Sequence, residues 1–173
     1  MRPDGADAVA FCAEEFPRLA GALSLYLGDR AIAEELAQEA LLKACRRWER
    51  VSQLESPGGW TWRVARNLAK SHLRRRRAER RARSRLEGAP PVTDDDGDTA
   101  AGLAVRSAVA DLPERQRTVL VMRYFLDRSV HETSEELGLS QDAVRSHTKR
   151  AIAALRQRFS DVEHDLALEA RDD

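Results

Sequence analysis

The sequence has few residues that could hold a metal ion or form a disulfide framework. Its two cysteines, Cys12 and Cys45, form no CxxC pair and have no histidine nearby. This spacing argues against a zinc site and against structural disulfides, and favours two small apolar residues on helix faces. No metal or cofactor is predicted, because the four histidines also stand at no metal-binding or triad spacing: His72, His131, His147 and His164.

Catalytic motifs and long apolar runs are missing as well. There is no glycine-rich phosphate loop, no HExxH and no GxSxG, so we predict a protein that is not an enzyme and has no small-molecule substrate. The N-terminus has no apolar stretch of signal-peptide length, and the longest strongly apolar run is Val119 to Met122. The sequence therefore predicts a cytosolic protein without a membrane segment.

The formal net charge is zero, but the charges are segregated along the chain. Between Arg63 and Arg85 there are eleven basic residues and one acid, Glu79, whereas the tail from Asp161 carries six acids against Arg171. A basic block of that density repels itself unless something anionic neutralises it. It predicts a polyanionic partner.

The chain predicts an all-α fold, because no segment longer than a few residues alternates apolar and polar residues as a strand would. The segment Leu86 to Ala100, LEGAPPVTDDDGDTA, combines paired prolines with an acidic cluster and cannot bury a core. We therefore predict two small helical domains, 1–85 and 101–160, joined by a flexible acidic linker, 86–100. The acidic tail, 161–173, is expected to be disordered.

The first domain should begin with a helical hairpin. Apolar residues recur at helical spacing from about Ala8 to Leu27, although Pro17 can break this helix into two. Gly28 provides a C-terminal stop and Asp29 an N-cap for a second helix, roughly Arg30 to Trp48. That helix places acids first and bases last, as the helix dipole favours, and its predicted inward face is Ile32, Leu36, Ala40 and Ala44.

The basic block begins within a third helix, WTWRVARNLAKSHLRRRR, from Trp60 to Arg77. Spacing puts Trp60 on a core side with Val64 and Leu68, and leaves core and surface positions both open for Trp62. Asn67 lies between the core side and the basic stripe. Amide and aromatic groups beside cations are typical of a nucleic-acid groove. The basic stripe consists of Arg63, Arg66, Lys70, Arg74 and Arg77.

The second domain predicts a helix-turn-helix. A helix from Leu103 to Leu112 precedes a helix that starts at Pro113, in which Val119, Leu120 and Phe125 should pack inward. A short helix, a turn at Gly138 to Ser140 and a longer helix follow. Residues of the longer helix that face outward, and could contact bases or phosphates, are Gln141, Asp142, Arg145, Ser146, Lys149 and Arg150.

These segments together resemble a known family. WTWRVARNLAKSHLRR looks like the promoter-melting segment of extracytoplasmic-function (ECF) sigma factors of the sigma-70 family, and AEELAQEALLKACRRW before it resembles their polymerase-binding helix. LPERQRTVLVMRYF followed by ELGLSQDAVRSHTKRAIAALR is similar to their C-terminal domain. The resemblance runs from about Ala8 to Phe159 in the same order. It implies a cytoplasmic RNA polymerase subunit that directs promoter-specific transcription initiation and is regulated by an anti-sigma factor.

The resemblance also implies roles for individual residues. Trp60, Trp62 and Asn67, with the basic stripe, would bind the unpaired -10 strand, and the loop Val51 to Gly59 would complete a base pocket. The outward residues of the helix-turn-helix would read the -35 duplex. Contacts to core polymerase would be made with the β flap and, through the second helix, with the β′ coiled coil, by Glu35, Leu36, Gln38, Glu39 and Lys43.

Two other classes of function remain open from the residues alone. A stand-alone helix-turn-helix regulator would use the first domain to sense or to dimerise, but such a domain has no need for a basic stripe. An RNA-binding protein or nuclease would prefer RNA or hydrolyse it, and no metal-binding carboxylate set supports that.

Overall fold

The computed structural model describes residues 5–83 and 99–169, and within them all regular structure is helical. The chain divides into two compact units at the junction of Thr99 and Ala100. The predicted fold class, two small helical domains, is therefore confirmed. Most of the predicted linker, 86–98, lies outside the described residues, and its last residue, Ala100, already begins a helix.

Within the described residues, unit 1 contains four helices: α1 Gly5–Leu27, α2 Arg30–Cys45, α3 Trp48–Val51 and α4 Pro57–Arg83. The α1–α2 hairpin forms as predicted, since Gly28 has a φ of +76° and the Asp29 carboxylate accepts from the backbone N–H of Ile32 at 3.0 Å. Pro17 does not divide α1. A single proline removes one backbone hydrogen bond, and the buried residues on both sides of it keep the helix continuous.

The segment after α2 differs from the prediction. α2 ends at Cys45, three residues before the expected end at Trp48, and Trp48 starts the one-turn α3. α4 begins inside the predicted loop, with Pro57 in its first turn. The hydroxyl of Ser56 accepts from the backbone N–H of Gly59 at 3.1 Å and so caps this helix.

The core of unit 1 corrects the predicted faces of α4. Trp62, Ala65 and Ala69 are buried, whereas Trp60, Val64 and Leu68 are only half-buried. The buried side of α4 combines the Trp62 ring with two alanines, which let the helices approach closely. The opposing core residues on α1 and α2 are Leu19, Leu23, Tyr26, Ala33, Leu36, Ala37 and Ala40.

Unit 2 also contains four helices: α5 Ala100–Ala110, α6 Glu114–Tyr124, α7 Val130–Leu137 and α8 Gln141–Glu169. Val119 and Leu120 are buried as predicted, but Phe125 is 38% exposed. The chain leaves α6 after Tyr124, so Leu126 takes the buried position instead. Other core residues are Val121, Met122, Val144 and Ala151.

The C-terminal part of the chain also departs from the prediction. α8 continues to Glu169, into the tail that the sequence had predicted to be disordered. Alanine, leucine and glutamate in this stretch are good helix formers and extend a helix that already exists. Residues 170–173 lie outside the described part of the chain. No helix of the described residues has both the length and the apolar content needed to cross a membrane.

Candidate nucleic-acid interface

One face of α4 is lined by exposed cations and one amide. Arg63, Asn67, Arg74 and Arg77 are exposed and Lys70 is half-exposed, at alternating spacings of three and four residues. We call these five residues the α4 stripe. Arg66, which the sequence placed on the same stripe, is half-buried on its flank. Glu79 is the one acid among the residues of α4, so the helix carries a strong excess of positive charge.

The two tryptophans of α4 differ in burial: Trp62, for which the sequence left both positions open, is in the core, and Trp60, predicted on the core side, is only half-buried. Trp62 is 2% exposed, and its ring meets that of Tyr26 edge-on with centroids 6.3 Å apart. Trp62 is therefore a core residue and its ring is not available for stacking on a base. Trp60 is half-exposed and shares a side of α4 with Arg63 and Asn67, which follow it by three and seven residues.

An ion pair links the C-terminal half of α4 to the α1–α2 hairpin, and a further hydrogen bond lies within the helix. An Arg76 guanidinium nitrogen lies 4.0 Å from the Asp29 carboxylate, and Arg74 donates to the hydroxyl of Ser71 at 3.3 Å. The pKa of His72 is lowered from its ordinary value, first by burial and then by the nearby charges of Arg76 and Arg75. His72 therefore adds little to the positive charge of α4 at neutral pH.

The predicted base-pocket loop, Val51 to Gly59, is anchored at both ends. Val51 is buried, and the start of α4 approaches α1 so closely that a Cβ on Gly58 would lie 3.1 Å from the Glu15 carboxylate. Leu54 between these anchors is 43% exposed. The sequence interpretation missed this residue, because an isolated leucine in a loop carries no periodic signal.

The outer face of α2 carries most of the residues predicted to bind polymerase. Glu35, Gln38 and Glu39 are exposed, and Lys43 donates to Glu39 at 2.7 Å. Leu36 is 5% exposed and belongs to the core, so the prediction of a direct contact through it is wrong. Leu42 is 57% exposed, four residues after Gln38 and on the same face. Helical spacing had placed Leu36 correctly on the inward face of α2, and its contact with polymerase was implied by the family resemblance alone.

In unit 2 the helix-turn-helix is held by local hydrogen bonds. Ser129 and Glu132 form a capping box at the start of α7, in which the Glu132 carboxylate accepts from the Ser129 N–H at 2.7 Å. Gly138 ends α7 with a φ of +62°, in the left-handed region that favours glycine. The Ser140 hydroxyl accepts from the N–H of Ala143 at 3.1 Å and caps α8, as predicted.

The first turns of α8 present the predicted DNA-reading residues. Gln141, Asp142, Arg145, Lys149 and Arg150 are exposed, and Ser146 is half-buried. Two hydrogen bonds hold the Arg145 side chain, which donates to Asp142 Oδ1 at 2.9 Å and to Gln141 Oε1 at 3.2 Å. These three side chains form one hydrogen-bonded cluster at the exposed start of the helix.

A groove of about 430 Å³ lies beside this cluster. Arg123, Arg145, Lys149 and Arg156 supply four cations around it, over a floor that includes Val130 and Ile152. Four cations along one groove can contact the phosphates that flank a base-reading helix. Among the residues that the structure describes, no group of three or more His, Cys, Asp or Glu side chains could hold a metal ion.

Known protein families match both units. Residues 13–79 match the family Sigma-70 region 2, and residues 108–157 match the family Sigma-70, region 4. The two matches cover α4 with its stripe and the helix-turn-helix with its Arg145 cluster.

Individual proteins that are similar to this chain are named as RNA polymerase sigma factors. The chain is 35% identical over 150 residues to the ECF RNA polymerase sigma factor SigG of Mycobacterium tuberculosis, covering 71% of this chain and 40% of that protein. It is 31% identical over 131 residues to the RNA polymerase sigma-E factor of Streptomyces coelicolor, covering 75% and 72%. The chain thus spans well under half of the first relative and most of the second.

A solved structure shares the fold. It is the sigma factor RpoE in complex with the anti-sigma factor NepR from Bartonella quintana, with a TM-score of 0.72 over 89% of this chain and 97% of that one. The sequence identity is 18%, so this likeness supports the fold and leaves the roles of individual residues to the chemistry described above.

Proposed function

The chain belongs to the ECF sigma factors of the sigma-70 family, and on that premise we propose that it binds core RNA polymerase and directs transcription initiation from specific promoters. The observation that carries the proposal is that one chain holds two exposed basic surfaces, the α4 stripe in unit 1 and the Arg145 cluster in unit 2. Its place of action would be the bacterial cytoplasm, where polymerase and promoters are found.

The outer face of α2 is proposed to dock on the β′ coiled coil of polymerase. Glu35, Gln38 and Glu39 offer polar contacts around Leu42, an exposed apolar side chain that a partner can desolvate. An apolar anchor ringed by polar groups is the arrangement in which a few residues dominate binding energy. Lys43 would help to hold Glu39 in position through their ion pair.

The α4 stripe is proposed to capture the -10 strand after it unpairs. Its cations attract phosphates without regard to sequence, while Asn67 can hydrogen-bond a base edge and Trp60 can stack on one. Stacking contributes about 1–3 kcal/mol per base, which is comparable to the few kcal/mol that extrusion of a base costs. Preferential binding to the unpaired strand is how a protein without catalytic groups can promote DNA opening.

The start of α8 is proposed to read the -35 duplex in the major groove. Arg145 would exchange its contacts with Gln141 and Asp142 for contacts with base edges, and Lys149 and Arg150 would reach phosphates. Gln141, Asp142 and Ser146 complete the proposed contact set. Unit 2 would also meet the β flap, and an anti-sigma factor would hold the chain inactive by covering one of these surfaces.

Co-migration with core polymerase in gel filtration tests the proposal. The wild-type chain should co-migrate, and Leu42→Asp should weaken the complex at least about tenfold, because a carboxylate would replace the apolar anchor. Val9→Asp is the matched control, since Val9 is also an exposed apolar residue of unit 1, at 69%, but lies on α1. It should leave the complex intact.

The alternative, a stand-alone helix-turn-helix regulator, predicts a different outcome. Such a protein would fail to co-migrate with core polymerase and would bind a palindromic duplex stably as a dimer. That pair of results would overturn the proposed function.

A further inference from the structure

Two cysteines that are distant in sequence meet between α1 and α2. Cys12 lies in the N-terminal half of α1 and Cys45 is the last residue of α2. The α1–α2 hairpin brings their sulfur atoms to 2.8 Å, and both residues are half-buried free thiols. Both cysteines lie on helix faces as predicted, but the spacing within each helix gave no sign that the two would meet.

The surroundings hold the pair in place. Phe11, beside Cys12, packs against Trp48, with ring centroids 4.9 Å apart and planes tilted by 36°. This aromatic contact joins α1 to the start of α3, just beyond Cys45. The pair has no set of ligands for a metal, since no group of three or more candidate side chains occurs in the described residues.

We propose that Cys12 and Cys45 are a site of reversible oxidation, at which a hydroperoxide converts the two thiols into an intramolecular disulfide. Cys45 as thiolate attacks one peroxide oxygen, the O–O bond breaks, and Cys45 sulfenic acid forms while the leaving hydroxide or alkoxide takes a proton from solvent to become water or an alcohol. The Cys12 sulfur then attacks the Cys45 sulfur, the S–O bond breaks, and the hydroxyl group leaves with the Cys12 proton as water. The sulfurs lose two electrons and the peroxide gains them. A dithiol reductant reverses the reaction by exchange.

The order of the two steps follows from the environment of Cys12. Burial, and then the hydrogen bond and charge of Cys45, raise the pKa of Cys12 to about 12. Cys12 is therefore protonated at neutral pH and is the slower of the two to react with peroxide, because the thiolate is the nucleophile. Cys45 is left as the residue that meets the oxidant first.

The bond would fasten the polymerase-facing helix to α1. It would close a loop from Cys12 to Cys45 and restrict the unfolded chain, while the docking face, on the outer side of α2, and the α4 stripe would stay exposed. We therefore expect oxidation to raise the melting temperature of unit 1 by about 10 °C. The oxidised chain should keep its DNA-facing surfaces.

Mass spectrometry of the full chain tests this directly. After treatment with hydrogen peroxide, the monomer should be about 2 Da lighter, should resist alkylation under native and denaturing conditions, and should yield one peptide pair joined through Cys12 and Cys45. Dithiothreitol should restore two alkylatable thiols and the lower melting temperature. The single variants Cys12→Ser and Cys45→Ser should show neither the mass loss nor the melting shift.

Three results would overturn the proposal. The first is that both thiols remain alkylatable after peroxide treatment. The second is that the only disulfide joins two chains, which a non-reducing gel would show as a dimer. The third is oxidation of either cysteine to sulfinic acid without a cross-link. None of these readings depends on binding to polymerase or DNA, so the result is independent of the proposed function.

Discussion

Helices α4 and α8 both present cations to solvent, but they arrange them in different ways. α4 carries one acid, Glu79, along its whole length, so its stripe is an extended positive surface. In α8 the leading cation, Arg145, is already hydrogen-bonded to Gln141 and Asp142. The first arrangement suits attraction of phosphates at a distance, and the second suits a choice between bases, because Arg145 must find contacts that match those it gives up.

The largest predicted effect is on the stability of unit 1 and comes from Trp62, one of the two tryptophans of α4. Trp62→Ala should destabilise unit 1 by about 3–5 kcal/mol, because it empties a core position against Tyr26. The measurement is urea denaturation, and the transition of unit 2 should stay in place. A loss below about 1 kcal/mol would show that Trp62 is not a core residue.

Trp60→Ala is the matched variant two residues earlier. It should change the stability of unit 1 much less, because Trp60 is half-exposed. In holoenzyme it should weaken binding to an unpaired -10 strand by about 1–3 kcal/mol, the contribution of one stacked base. Unchanged affinity for the unpaired strand would remove Trp60 from the interface.

Two arginines separate base choice from charge. Arg145→Ala should reduce discrimination between the preferred -35 duplex and a mutated one by about 1–3 kcal/mol. Arg74→Ala should instead weaken binding to all promoters alike and reduce the slope of log affinity against log salt by about one unit. Titrations of holoenzyme at several salt concentrations measure both. If both variants changed base discrimination and the salt slope equally, α8 would not choose bases while α4 binds phosphates.

A smaller effect is expected from the cap of the helix-turn-helix. Ser129→Ala removes the hydroxyl that accepts from the Glu132 N–H at 3.1 Å, and should destabilise unit 2 by about 1 kcal/mol. Ser160→Ala, at an exposed position within α8, is the control and should change stability by less than about 0.5 kcal/mol. Thermal denaturation followed by circular dichroism measures both. A shift confined to unit 1 would be the contrary result.

The smallest predicted effect is a loss of stability of the two units as the pH falls. The folded pKa of His72 lies below its ordinary value of 6.5, so the unfolded state binds more protons and unit 1 loses stability as pH falls through 6.5 toward the folded pKa. The folded pKa of Glu132 is lowered from 4.5, chiefly by its hydrogen bonds with Ser129, so its contribution to unit 2 is present above 4.5 and lost below it.

Denaturation at a series of pH values checks this order. Between about pH 7.5 and 5.5 unit 1 should weaken, and His72→Gln should flatten this response. Glu132→Gln should flatten the response of unit 2 below 4.5. An acid response that either substitution leaves unchanged would contradict the role of that residue.

The sequence predicts most where the signal is local. Gly138 and Ser140 stand at the turn and the cap that their chemistry favours, so the helix-turn-helix could be placed from residues alone. The faces of α4 could not, because Trp60 and Trp62 are equally apolar and only the packing of neighbouring helices decides which is buried.

Contacts between segments distant in sequence could not be predicted either. The meeting of Cys12 and Cys45 depends on how the two helices of the hairpin align, which no spacing rule reports. The end of α8 also differs from the prediction, because the helix propensity of alanine, leucine and glutamate outweighs the acidic composition of this stretch. Composition and periodicity thus predicted the helical class and the two units, and tertiary packing decided the details of the site.

Run-off transcription on a randomised promoter library, with purified core polymerase and this chain, tests the central claim most directly. We predict that adding the chain produces transcripts from a subset of templates that share one -10 and one -35 sequence at a fixed spacing. Transcription without sequence selection, or no more transcription than core enzyme gives alone, would contradict the claim that the two units act together on one promoter.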